Sequence, residues 1–153
     1  GFLSDRFGRR RTLAIFIGAT ALPTLALALV LSHHGWVMPV DPTAAGRPAA
    51  PESLVRWFWL LVLSYSVTQG LMYGVGTAIF MDVTTSSVAA TQFTAYMALS
   101  NTVFAYTSTW QGHAIGSWGY PATLVVDAAF GMVSLLVLRL MGPTRLDRRR
   151  AEP

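Results

Sequence analysis

The chain has 153 residues, 53% of them hydrophobic and only 12% charged, with a formal net charge of +4. A soluble domain is about a quarter charged, whereas here the apolar residues gather in four blocks of about 20 residues, each able to cross a hydrocarbon core of roughly 30 Å. The expected class is therefore all-α, a polytopic membrane protein with four transmembrane helices, and the absence of cysteine excludes disulfides and thiolate metal sites.

The first thirteen residues, GFLSDRFGRRRTL, form a charged segment (1–12) that runs straight into an apolar stretch. Gly1 and Gly8 allow the tight backbone that a two-helix connection needs, and Asp5 sits among Arg6, Arg9, Arg10 and Arg11. A generic basic juxtamembrane anchor would need neither the glycines nor the acid. The first membrane helix is expected at about 12–32, kinked by Pro23 and facing lipid, because only Thr20 and Thr24 interrupt its apolar run. Residues 33–54 are rich in Pro, Ala and Gly, and are expected to form an irregular external loop. His33 and His34, with Asp41 and Glu52, are the residues a metal reading would use; adjacent histidines in a loop lack a ligand spacing, so no metal is assigned.

The second helix is expected at about 55–80. Tyr65, Gln69 and Tyr73 follow i, i+4, i+8 and share a face, while Gly70 and Gly74 permit close helix approach. A short internal loop follows, with Ser86 or Ser87 as the N-cap of a third helix at about 88–111. Thr94, Asn101, Ser108 and Gln111 make a polar stripe on that helix, which cannot face lipid all round. Residues 112–120 are expected to form a short glycine-rich loop. Pro121 then opens a fourth helix at about 121–141, ahead of an arginine-rich tail, 142–153.

All eleven basic residues are arginine, and nine lie at the two ends of the chain. This bias places both ends in the cytoplasm and reads as a topology signal rather than a nucleic-acid surface. Polar residues concentrate on the two middle helices, which are expected to line a cavity supported by the outer two. Solutes of secondary transporters bind in such midplane sites. The candidate cavity residues are Tyr65, Gln69, Tyr73, Asn101 and Ser108, whose rings and amides suit a sugar-like or peptide-like solute. For each, the alternative is an interhelical hydrogen bond worth about 0.6 kcal/mol. Asp127 is the only acid within an apolar block and is the candidate proton site. Its alternative, favoured because its helix is a supporting one, is a structural hydrogen bond to a neighbouring helix. A membrane enzyme would have to use His33, His34, His113 and Asp41, with no nucleophile motif among them; no catalytic residue and no cofactor is assigned.

The opening segment resembles the signature loop of the major facilitator superfamily, G-x-L-x-D-x-x-G-R-R-x-x-L, at every defined position. FMDVT at 80–84, AATQFTA at 89–95 and GSWGYP at 116–121 are similar to the tenth-to-twelfth-helix region of muropeptide permeases and their acetyl-coenzyme A transporter relatives. The resemblance implies the C-terminal four helices of a twelve-helix facilitator, a fragment of a proton-coupled solute transporter working by alternating access in a bacterial inner membrane. Placement as helices three to six is disfavoured. The third helix lacks a Gly-Pro-rich motif, and no arginine precedes Gln69-Gly70 within its helix. The implied partners are a small solute, protons, lipid and a missing N-terminal half, with no nucleic acid. By the same resemblance Gly1, Asp5, Arg6, Gly8, Arg9 and Arg10 form a cytoplasmic gate, with the Asp5 carboxylate facing the positive end of a helix in the opposite half. The competing expectation is a complete four-helix membrane scaffold.

Overall fold

The computed structural model describes residues 2–41, 43, 45–46 and 48–140, with backbone alone at Phe2, Leu3 and Asp5. Every regular element among them is helical: α1 (Phe2–Phe7), α2 (Arg9–His33), α3 (Glu52–Val83), a 3-10 turn (Ser86–Val88) and α4 (Ala89–Leu140). Three helical stretches are long and apolar enough to cross a membrane: Arg9–His33, Glu52–Val83 and Ser86–Leu140.

The charged opening is a helix–glycine–helix corner rather than a loop. Gly8 has φ 84°, a left-handed conformation that favours glycine. Its N–H donates to the Ser4 carbonyl at 3.0 Å, closing α1. Its own carbonyl accepts from the Thr12 hydroxyl at 2.9 Å, opening α2. Gly1 and the tail 142–153 lie outside the described residues.

α4 contains the one sharp reversal among the described helices. Gly119, at φ 80° and ψ 174°, is non-helical. Gln111 and Asp127 flank it sixteen residues apart, which is about 24 Å along a straight helix. Their side chains nevertheless meet at 2.6 Å, and Trp110 contacts Phe130 with ring centroids 6.0 Å apart. Residues 89–118 and 120–140 are therefore two arms folded back on each other. The expected loop at 112–120 shrinks to this single residue. Gly112 and Gly116 stay helical because in an apolar medium the backbone must satisfy its hydrogen bonds within the helix. Pro121 falls in the first turn of the second arm, where its missing N–H costs nothing.

The packing departs from expectation at α2. This helix packs along both α3 and α4, which barely meet each other. It is the central helix: Thr12, Phe16, Ile17, Ala21, Pro23, Ala28 and Leu31 are buried, while Ile15, Leu22 and Leu29 stay exposed on its other side, so it both supports its neighbours and keeps an apolar outer face. Its alanines present small side chains, and small residues let helices approach closely in a bilayer. Phe16 packs with Val75 and Ile79 of α3, bordered by Leu13 and Met72. Gly70 and Gly74, expected at a close approach, are exposed, and a Cβ at either would meet nothing within 4 Å.

The turn into α4 is capped differently from expectation. Ser86 and Ser87 lie inside the 3-10 turn. The Gln92 side-chain carbonyl reaches back to accept from the Thr85 N–H at 2.7 Å, satisfying a helix-start donor in their place.

Candidate functional site

The two ends of the bundle have different chemistry. At one end Arg9 Nη1 lies 2.7 Å from Asp82 Oδ1 and donates to the Ala78 carbonyl at 2.7 Å. This ties the start of α2 to the end of α3. Asp82 Oδ2 is buried with no hydrogen-bond partner among the described residues. Arg10 donates to the Arg139 carbonyl at 2.7 Å, a backbone acceptor left open near the end of α4. Arg9 and Arg10 thus act as helix-to-helix ties within this chain. The Asp5 side chain, the centre of the expected gate, lies outside the described residues.

At the opposite end the 34–51 connection is pinned to the reversal of α4. The Tyr120 N–H donates to the Val37 carbonyl at 2.8 Å. His34 closes α2: its Nδ1–H donates to the Val30 carbonyl at 2.9 Å, and its Nε2 lies 3.1 Å from the Ser53 hydroxyl. Thr43 donates to Asp41 Oδ1 from its hydroxyl at 2.7 Å and from its N–H at 2.8 Å. Those bonds hold the Asp41 carboxyl below its usual pKa range. Among the described residues no three metal-ligating side chains converge.

Between these ends lies a cavity of about 880 Å³, walled by α2, α3 and both arms of α4. α2 contributes Thr20, Pro23 and Thr24 among its lining residues, and α3 contributes Leu61, Tyr65, Gln69 and Met72. The first arm adds Tyr106, Thr107, Trp110 and Gln111, and the second adds Tyr120, Thr123, Asp127, Phe130 and Ser134. Tyr65 is 39% exposed. Because α3 and α4 hardly touch, the cavity opens between α3 and α4.

Of the candidate residues, Tyr65, Gln69 and Asp127 come together on this cavity. Tyr73, Asn101 and Ser108 lie outside it and are exposed on the outer faces of α3 and the first arm. The i, i+8 pairing of Tyr65 with Tyr73 drifts about 80° around a helix of 3.6 residues per turn, enough to carry Tyr73 past the rim. The polar stripe through Thr94, Asn101 and Ser108 points away from α2, and only its last member, Gln111, reaches the interior. Its Nε2 donates to Asp127 Oδ2 at 2.6 Å. Sequence reasoning grouped Gln111 with that stripe but did not pair it with Asp127. The signal was available in their equal spacing about Gly119, given the reversal. The cavity hydroxyls of α2 were missed because a helix expected to face lipid was not searched for a site.

No protein family model, no curated protein and no solved structure matches this chain.

Proposed function

We propose that this chain forms the solute-binding part of a proton-coupled secondary transporter, crossing the membrane four times through α2, α3 and the two arms of α4. The observation that carries the reading is the 880 Å³ cavity with the Gln111–Asp127 pair in its wall. An ionisable residue within membrane-spanning helices marks a solute or proton path by default, and the volume lies in the range of small-molecule sites. The resemblance of the opening segment to the facilitator signature supports alternating access as the mechanism. Further helices, belonging to the opposite half of the transporter, would close the open side between α3 and α4. The exposed stripe of Thr94, Asn101 and Ser108 suits such protein neighbours better than lipid.

The arginine-rich end is assigned to the cytoplasmic side of a bacterial inner membrane. With no native thiol in the chain, single cysteines report topology cleanly. Ser86→Cys should label only from the cytoplasmic side and Ala49→Cys only from outside, and the opposite pattern would invert the orientation.

Solute uptake into proteoliposomes that hold this chain together with the opposite half, driven by a pH gradient, tests the reading as a whole. Asp127→Asn preserves shape and removes titration. It should abolish gradient-driven accumulation if Asp127 carries the proton. Normal accumulation in that variant leaves Asp127 as a structural partner of Gln111. A four-helix scaffold is the second reading, favoured by the same exposed stripe on the first arm, and it predicts no uptake at all.

A further inference from the structure

The charge and hydrogen-bonding character of the cavity wall restrict what it can hold. Among the described residues its lining contains one ionisable carboxylate, Asp127, and no arginine or histidine. Five aromatic rings share the wall: Tyr65, Tyr106, Trp110, Tyr120 and Phe130. Trp110 meets Phe130 at 90° and Trp118 at 74°, edge-to-face contacts that hold its ring in place.

The hydroxyls bias the site further. Thr20 donates to the Ile17 carbonyl, Thr24 to Thr20, Thr123 to Gly119 and Ser134 to Gly131. Each of these protons is held by the helix backbone, so the oxygens can offer only lone pairs. Gln111 directs its N–H at Asp127 Oδ2, which leaves the carboxylate's other oxygen without a partner among the described residues. Donors remain on Tyr65, Tyr106, Tyr120, Thr107, Gln69, the Trp110 indole N–H and the second Gln111 N–H, all of them neutral, while the α2 and second-arm hydroxyls and Asp127 accept.

We propose that the cavity binds a monovalent organic amine cation, with N–H donors on an aromatic or apolar body. A carboxylate away from bulk water is complemented by a cation. Ring faces attract cations through their quadrupoles, and acceptor-only hydroxyls are satisfied by ammonium N–H groups. The same wall disfavours anions, because its one charged group among the described residues is a carboxylate and no positive side chain balances it. The solute expected from the sequence, sugar-like or peptide-like, narrows to one with a free ammonium, and polyphosphorylated solutes are excluded. The inference rests on the cavity being the solute site of the proposed transporter.

The test is direct binding by isothermal titration to the purified full chain in lipid nanodiscs. Phenethylamine, its trimethylammonium analogue, phenethyl alcohol and 3-phenylpropionate serve as probes of nearly one shape. Phenethylamine should bind roughly ten- to hundredfold more tightly than the alcohol, the range of a charge-assisted hydrogen bond. The trimethylammonium analogue should be intermediate, and the carboxylate should not bind. Asp127→Asn should bring the amine down to the level of the alcohol. The comparison among probes on the unmodified protein stands even if that variant fails to fold. Equal binding of amine and carboxylate, tighter binding of the carboxylate, or amine binding unchanged in a folded Asp127→Asn protein would overturn the inference. Binding does not require transport. Selective amine binding with no uptake once the opposite half is present would sink the transporter reading alone, whereas gradient-driven uptake of an anion would sink the amine assignment alone.

Discussion

Replacing Gly119 by valine should collapse the fold, with a large loss of thermal stability and failure of the two α4 arms to pair. The residue sits at φ 80° and ψ 174°, a region open almost only to glycine and costing other residues about 1–3 kcal/mol. A Cβ there would lie 2.5 Å from the Val37 carbonyl oxygen and 3.1 Å from Met38 Sδ. The backbone carbonyl cannot rotate aside as a flexible side chain can. Relief would require breaking the Tyr120 N–H to Val37 bond, about another 1 kcal/mol. Gly119→Ala should show the same defect in weaker form. Gly112→Ala and Gly116→Ala should be nearly neutral, because a Cβ at either meets nothing within 4 Å. Fluorescence-detected melting of the detergent-solubilised protein reads all four; equal effects at the three glycines would mean that the reversal is not where the strain lies.

Arg9→Ala should be the most damaging change among the side chains at the arginine-rich end. Arg9 and Asp82 are 24% and 18% exposed along their side chains, and Asp82 Oδ2 has no further partner among the described residues. Removing the guanidinium leaves the carboxylate partly buried with no countercharge and frees the Ala78 carbonyl as well. Breaking a buried pair costs about 3–5 kcal/mol, and the residual exposure here places the loss toward the lower end. Arg9→Ala with Asp82→Asn should recover much of it, since the uncompensated charge is gone. Arg56→Ala is the control: its pair with Glu52 spans 3.9 Å between exposed side chains and should matter little. A melting temperature unaffected by Arg9→Ala would show that the tie between α2 and α3 rests on apolar packing alone.

Helix existence was legible because long apolar runs admit few alternatives. The charge-poor blocks predicted helices within a few residues of α2 and α3. The connections were harder to read, since glycine carries two messages. Gly119 makes the turn, while Gly112 and Gly116, in the same short segment, remain helical, and composition does not distinguish them. The burial of α2 was hidden for a related reason. In lipid an apolar face does not reveal whether it meets tails or another helix, so an almost uniformly apolar helix gave no orientation. The site was half legible on the same grounds. Tyr65, Gln69 and Asp127 follow from polarity in a membrane segment. Excluding Tyr73, Asn101 and Ser108 required knowing which way each helix turns toward α2.

Two-sided aqueous access to the cavity tests the transporter reading most directly. Thr24→Cys and Gln69→Cys place a thiol on opposing walls, on α2 and α3, in a chain with no other thiol. Membrane-impermeant thiol reagents applied separately to each face of oriented membrane vesicles containing the protein should label both positions from either side, in alternation and never through an open pore. Labelling from neither side would identify the cavity as a sealed packing gap and contradict a solute-transporting function.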